Sequence, residues 1–175
     1  YVSSYWRDVD GTIASSTYQP TRISIVAEIN KSTNALRRVF RLYKPDGTPN
    51  YGHLGALAHH NGNLYISYGT TMHRYSLATA PNPGYIFNPQ TFANPKGDQN
   101  PLTAVSGISL ASYIEGNTSI DSAHVSVDST GDTILWTSDW DTADIRKLHG
   151  FKLNTDGSIA VAINASTSAR IQFIL

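Results

Sequence analysis

Two stretches of this chain repeat one another, and that repetition constrains the fold more than any other feature. His53-Leu-Gly-Ala-Leu-Ala leads to Ser67 at the end of Leu64-Tyr-Ile-Ser. His124-Val-Ser-Val-Asp leads in the same way to Ser138 at the end of Leu135-Trp-Thr-Ser, an offset of 71 residues at both ends. Met72-His-Arg-Tyr-Ser-Leu77 is then matched by Leu148-His-Gly-Phe-Lys-Leu153, apolar-His-x-aromatic-x-Leu in both, after a loop that is five residues longer in the second copy. A unit of this kind cannot bury its apolar faces alone and does so by stacking on its neighbours. Val2-Ser-Ser-Tyr-Trp6 resembles the Ser138-Asp-Trp140 segment and reads as the remains of an earlier copy. Ala169 to Leu175 reads as the opening strand of a later one, so the chain is expected to start and stop inside repeats.

The local pattern within each copy is β. Arg22 to Ile29, Leu36 to Tyr43, Leu64 to Tyr68, Met72 to Leu77, His124 to Asp128, Ile134 to Ser138 and Lys147 to Leu153 are short runs rich in β-branched and aromatic residues. Lys44-Pro-Asp-Gly47, Asn61-Gly-Asn63, Ser129-Thr-Gly-Asp132 and Asn154-Thr-Asp-Gly157 separate them, with residues that tolerate positive φ, and these predict hairpin turns. No long window keeps a 3.6-residue apolar period, and Ala78 to Thr103 reads as a long surface connection. Four-stranded sheets recurring at this spacing predict a β-propeller rather than a solenoid. The predicted division is an incomplete first blade over 1–50, a second blade with its long connection over 51–120, a third over 121–168 and the opening strand of a fourth over 169–175. About two and a half to three blades leave two faces open, which predicts a second polypeptide that completes the ring, either the remainder of a cleaved precursor or another chain. A β-sandwich is the other architecture compatible with such strands.

Charge and composition narrow the function classes. Thirteen basic and thirteen acidic residues cancel, with no block of one sign, which argues against nucleic acid and anionic membrane surfaces as partners. The longest apolar runs fall far short of the roughly twenty residues that span a bilayer. The chain opens at Tyr1 without an initiator Met or a leader, as expected of a processed product, and the Asn-x-Ser sequons at Asn30, Asn117 and Asn164 are the expected glycosylation acceptors of a secreted protein. Cysteine is absent, which excludes a disulfide framework and thiolate chemistry.

The run from Tyr43-Lys-Pro-Asp-Gly-Thr-Pro through Gly52-His-Leu-Gly-Ala-Leu-Ala, Gly62-Asn-Leu-Tyr-Ile-Ser and His73-Arg-Tyr-Ser-Leu resembles secreted six-bladed propeller proteins of actinobacteria and fungi. That group is largely without assigned function, so the resemblance implies an extracellular propeller, and the first functional reading is one that binds a ligand or partner at its channel mouth or blade-loop rim. Two other readings stay open: a metal-assisted hydrolase or lyase, similar to propeller lactonases, and a structural or storage glycoprotein.

Candidate site residues follow from where a propeller gathers its chemistry. His53 and His124 read as equivalent residues opening inner strands, able to hold a transition metal at the axis or to act as an acid/base pair. His73 and His149 also repeat, in third strands, where packing explains them. Asp139, Asp141 and Asp144 place three carboxylates in six residues, the hard oxygen donors that calcium takes. Trp6, Tyr68 and Trp140, with Tyr5 nearby, lie near second-strand ends, where aromatic faces stack on planar ligands or sugars, or pack between blades. The chain has no Gly-x-Ser-x-Gly elbow, no Gly-rich phosphate cradle and no His-Glu-x-x-His.

Overall fold

The structure is a computed structural model that describes residues 1–4, 24–50, 54–80, 101–113, 119–139 and 148–167. It is all-β, and eleven strands are described: β1 (Val2–Ser4), β2 (Ile25–Ile29), β3 (Leu36–Tyr43), β4 (Leu54–His60), β5 (Asn63–Tyr68), β6 (Thr71–Ser76), β7 (Pro101–Ser109), β8 (Ile120–Val127), β9 (Thr133–Asp139), β10 (Leu148–Leu153) and β11 (Ile159–Thr167). A 3-10 turn, Leu77–Thr79, follows β6. The seven short β-rich runs read from the sequence each fall within or overlap one of these, and the opening strand expected over 169–175 lies outside the described residues. The expected connection from Ala78 ends three residues early, because β7 begins at Pro101. Among the described residues no helix is long and apolar enough to cross a membrane.

The expected turns follow their residue chemistry. Asn61 and Gly62, both at positive φ (43° and 71°), form the two-residue link between β4 and β5, the twist that suits right-handed strands. In three of the longer turns a carboxylate ties the loop to itself: Asp46, Asp128 and Asp156 each accept the N–H and the hydroxyl of the Thr or Ser two residues on, at 2.6–2.9 Å.

The strands form two sheets. Seven lie in the order β1-β2-β3-β7-β6-β5-β4 and four in the order β11-β10-β9-β8. The larger sheet curls strongly, like half a barrel, and brings its edge strands β1 and β4 together, with the Tyr1 ring 5.0 Å from the His59 ring. Within it β4–β7 form an antiparallel meander, unit one; β8–β11 form a second, unit two. β3 joins unit one by a short parallel ladder, Arg41–Tyr43 against Pro101–Thr103. Unit one is buried on both faces. Val26, Phe40 and Leu42 cover one side, against Leu64, Ile66 and Tyr75. On the other side Ala56, Ala58, Tyr65 and Met72 meet Ile120, Leu135, Phe151 and Leu153 of unit two.

The ladders test the repeat residue by residue. Ser67 pairs with Met72 as Ser138 pairs with Leu148, and Ile66 with His73 as Thr137 with His149, so the second and third strands correspond as the sequence predicts. The first strands do not correspond as predicted. Tyr65 pairs with Ala58, whereas its counterpart Trp136 pairs with His124, so His124 is the equivalent of Ala58 and stands in mid-strand. Leu54 and Ile120 are the true counterparts; each is buried, and each is followed by the same one-residue bulge. The displacement arises in the first hairpin. Two residues lie between the paired His60 and Asn63, but seven lie between Ser126 and Ile134, an extension of five residues at the tip. Extensions at a hairpin tip leave the ladder intact, so spacing alone misplaces the strand before it.

Candidate functional site

Three hairpin tips at one end of the two units enclose a cleft of about 630 Å³. His60, Asn61 and Asn63 come from the β4–β5 tip, Gly131, Asp132 and Thr133 from the β8–β9 tip, and Lys152 to Ser158 from β10 and its turn to β11. Its size is within the range of small-ligand sites.

The cleft is held in shape by bonds that cross from one unit to the other. Tyr65, fully buried, donates its phenolic O–H to the Gly157 carbonyl at 2.8 Å. Arg74 donates to the Asp156 carbonyl at 2.5 Å. Gly157, at φ +81°, approaches so closely that a Cβ there would come within 2.9 Å of the Tyr65 hydroxyl and 2.7 Å of the Asn63 amide. The β8–β9 tip is fixed by Asp128, which also accepts the Asp132 N–H at 2.9 Å. Lys152, on β10, and Asp132, just before the adjacent strand β9, form an ion pair at 2.7 Å in the lining of the cleft. The Ser158 hydroxyl and N–H, with Arg74 near by, hold the Asp156 carboxyl below the ordinary carboxylate range, so it is ionised at neutral pH.

Burial pushes the phenols of Tyr65 and Tyr75 up to about 12. The unfolded chain releases these protons near pH 10, while the folded protein keeps them to about 12. Stability is therefore complete below the unfolded value and declines as pH rises between the two. Urea midpoints measured from about pH 9 to about pH 12 are expected to fall over that window, and to fall less in a Tyr65→Phe, Tyr75→Phe protein; equal slopes would contradict the assignment.

The residues singled out from the sequence lie elsewhere. His124 is exposed in mid-β8 beside its ladder partner Trp136, while His53 lies outside the described residues. Asp139 ends β9, paired through its backbone with Ile120; Asp141 and Asp144 are outside the described residues. Among the described residues no three His, Asp or Glu side chains stand together as a metal would require. Tyr68, 39% exposed under the Lys44 ammonium at 5.5 Å, is at the end of β5 remote from the cleft. Tyr5, Trp6 and Trp140 are outside the described residues. Asn30 is in the β2–β3 turn, its side-chain oxygen accepting both the N–H and the hydroxyl of Ser32; Asn164 lies within β11, and Asn117 is outside the described residues. His73 is buried, its ring against Gly107, and burial lowers its pKa; its counterpart His149 is partly buried.

The sequence pointed to the cleft's turns only as turns. What it lacked was the knowledge that three of them meet, a consequence of the units packing face to face. Comparison of the chain with protein families, curated proteins and solved structures finds no match.

Proposed function

We propose that the chain is a segment of a secreted β-propeller, six-bladed when complete, that binds a small polar ligand in the rim cleft between its units. The observation that carries the binding role is the cleft itself: polar groups from three hairpin tips, fixed in place by the bonds from Tyr65 and Arg74. A site whose groups are held before the ligand arrives does not spend binding energy on ordering them. Two-dimensional amide NMR of the isotope-labelled 175-residue chain in its native assembly, titrated with a library of small polar compounds, tests it. Binders are expected to shift Asn61, Asp132 and Asn154 together. A library that leaves these amides unmoved, or moves only residues at the far end of β5, overturns it.

The propeller reading is supported by the matched registers of the two units and by the face that unit two leaves open. In unit one Ala58, Tyr65 and Met72 are covered by unit two; their counterparts His124, Trp136 and Leu148 are exposed or half-buried, with the Trp136 N–H donating to Ser126 at 3.0 Å. A further four-stranded unit on a second polypeptide, presenting an apolar face as Leu135 and Phe151 do, fits this surface. Native mass spectrometry is expected to show the companion bound, and a stable solitary 175-residue monomer would contradict it. A metal-assisted hydrolase using His53 and His124 is the weaker reading, because the register separates His124 from the strand start where such a pair would converge.

A further inference from the structure

We infer that the rim cleft selects a neutral polyhydroxylated ligand, a mono- or disaccharide, an inference that rests on the ligand-binding reading above. The chemistry of the lining argues against anionic and apolar ligands in turn. Asp132 and Asp156 set two negative charges in the lining against Lys152, which Asp132 already neutralises at 2.7 Å, and Arg74 stands behind the lining with its guanidinium on the Asp156 carbonyl. A phosphate or carboxylate would meet repulsion and no free cation. Among the lining residues only Leu153 is aliphatic, and it is buried with the core, so an apolar ligand would gain little burial. What the walls offer is hydrogen bonding of both kinds at close spacing.

A sugar hydroxyl both donates and accepts, and a pair of neighbouring hydroxyls suits a surface on which donors and acceptors alternate. The Lys152–Asp132 pair is such a surface, with an ammonium that donates and a carboxylate that accepts 2.7 Å apart. Hydrogen bonds to charged groups are the stronger kind. The amides of Asn61 and Asn63 on the opposite tip add groups that do both, and Asp156 adds a further acceptor. Since Asp128 fixes the tip that carries Asp132, and Tyr65 and Arg74 fix the turn that carries Asp156, these groups keep their spacing.

The test is a printed glycan array probed with the chain in its native assembly, followed by NMR titration of the retained sugars and, in parallel, of spermidine and inorganic phosphate. At least one neutral glycan is expected to bind and to shift Asn61, Asp132 and Asn154. Asp132→Asn and Lys152→Met are each expected to weaken it about tenfold or more, with amide spectra outside the cleft unchanged. Shifts in the cleft from spermidine or phosphate, with no glycan retained, overturn the inference and leave the ligand-binding reading standing. No shift from any probe overturns both. Sugar binding that both substitutions leave intact places the saccharide elsewhere and also overturns the inference.

Discussion

Replacing Gly55 with Ala is expected to destabilise the protein by about 3–5 kcal/mol, a large loss for one methyl group. A Cβ on Gly55 would stand 2.0 Å from the Ile120 carbonyl oxygen, 3.1 Å from its carbon and 3.1 Å from the Ser67 hydroxyl. Ile120 begins β8, so the obstruction is backbone and cannot rotate aside. The same few ångströms hold the junction between the units together. Ser67 donates to the Ile120 carbonyl at 2.8 Å and accepts the Ala56 N–H at 2.7 Å, and the Ile120 N–H reaches the Gly69 carbonyl at 3.0 Å. Overpacking costs about 1–3 kcal/mol, and each buried bond lost adds about 1 kcal/mol. Over 175 residues this corresponds to a fall in melting temperature of about 10 °C. Urea denaturation of Gly55→Ala, of Ser67→Ala and of the double variant measures it. The double variant is expected to lose less than the sum of the singles, because Ser67 and the new methyl compete for one carbonyl. A loss below about 1 kcal/mol in Gly55→Ala would show that β8 can move away freely.

This junction does not recur unchanged. By register the counterpart of Gly55 is Asp121, which carries a Cβ, and the counterpart of Ala56 is Ser122, whose hydroxyl lies 2.6 Å from that of Ser138. A neighbour docked on unit two, as proposed above, would therefore hold its first strand farther from β8 than β8 is held from β4. It would meet two serine hydroxyls that already share a bond. The two units repeat in topology and differ in how they dock.

The same comparison explains what the sequence could reveal. Second and third strands were legible because a two-residue alternation, a buried aromatic and a His recur along a ladder that admits no insertion: Leu64 with Tyr75, Leu135 with Phe151. The outer strands were harder. β11 was not anticipated, and β7, in which only Leu102 and Ala104 are buried, starts with a proline inside a run that reads as connection; it takes its place from pairing on both sides, with β6 and, through its own first residues, with the last three residues of its parallel neighbour β3. The first strands were misaligned because Asp128 to Asp132 lengthen a tip without marking the ladder. The cleft was illegible for a further reason. Its walls are ordinary turn residues, and nothing in Asn61-Gly62 or Asn154-Thr-Asp-Gly157 records which other turn will face it.

Tyr65 links fold and cleft, and its two substitutions are expected to separate the contributions. Tyr65→Ala is expected to cost about 3–5 kcal/mol, since it empties a fully buried aromatic position in the core shared by both units. Tyr65→Phe keeps that packing and removes only the O–H that reaches the Gly157 carbonyl at 2.8 Å. Gly157 is buried, so its carbonyl loses a partner without gaining full access to water, at a cost of about 1–3 kcal/mol. Urea midpoints with an unchanged m-value measure both losses. The two substitutions also differ in where they act. In Tyr65→Phe the amide exchange of Asn154 to Ser158 is expected to speed up while that of β5 and β6 holds, because only the turn has been released; in Tyr65→Ala protection is expected to fall across both units. If Phe costs as much as Ala, the hydroxyl rather than the ring holds the units together. If Phe costs nothing and leaves the turn protected, the turn that carries Asp156 owes its place to something other than this bond, with the Arg74 bond to the Asp156 carbonyl as the remaining tie between the units there.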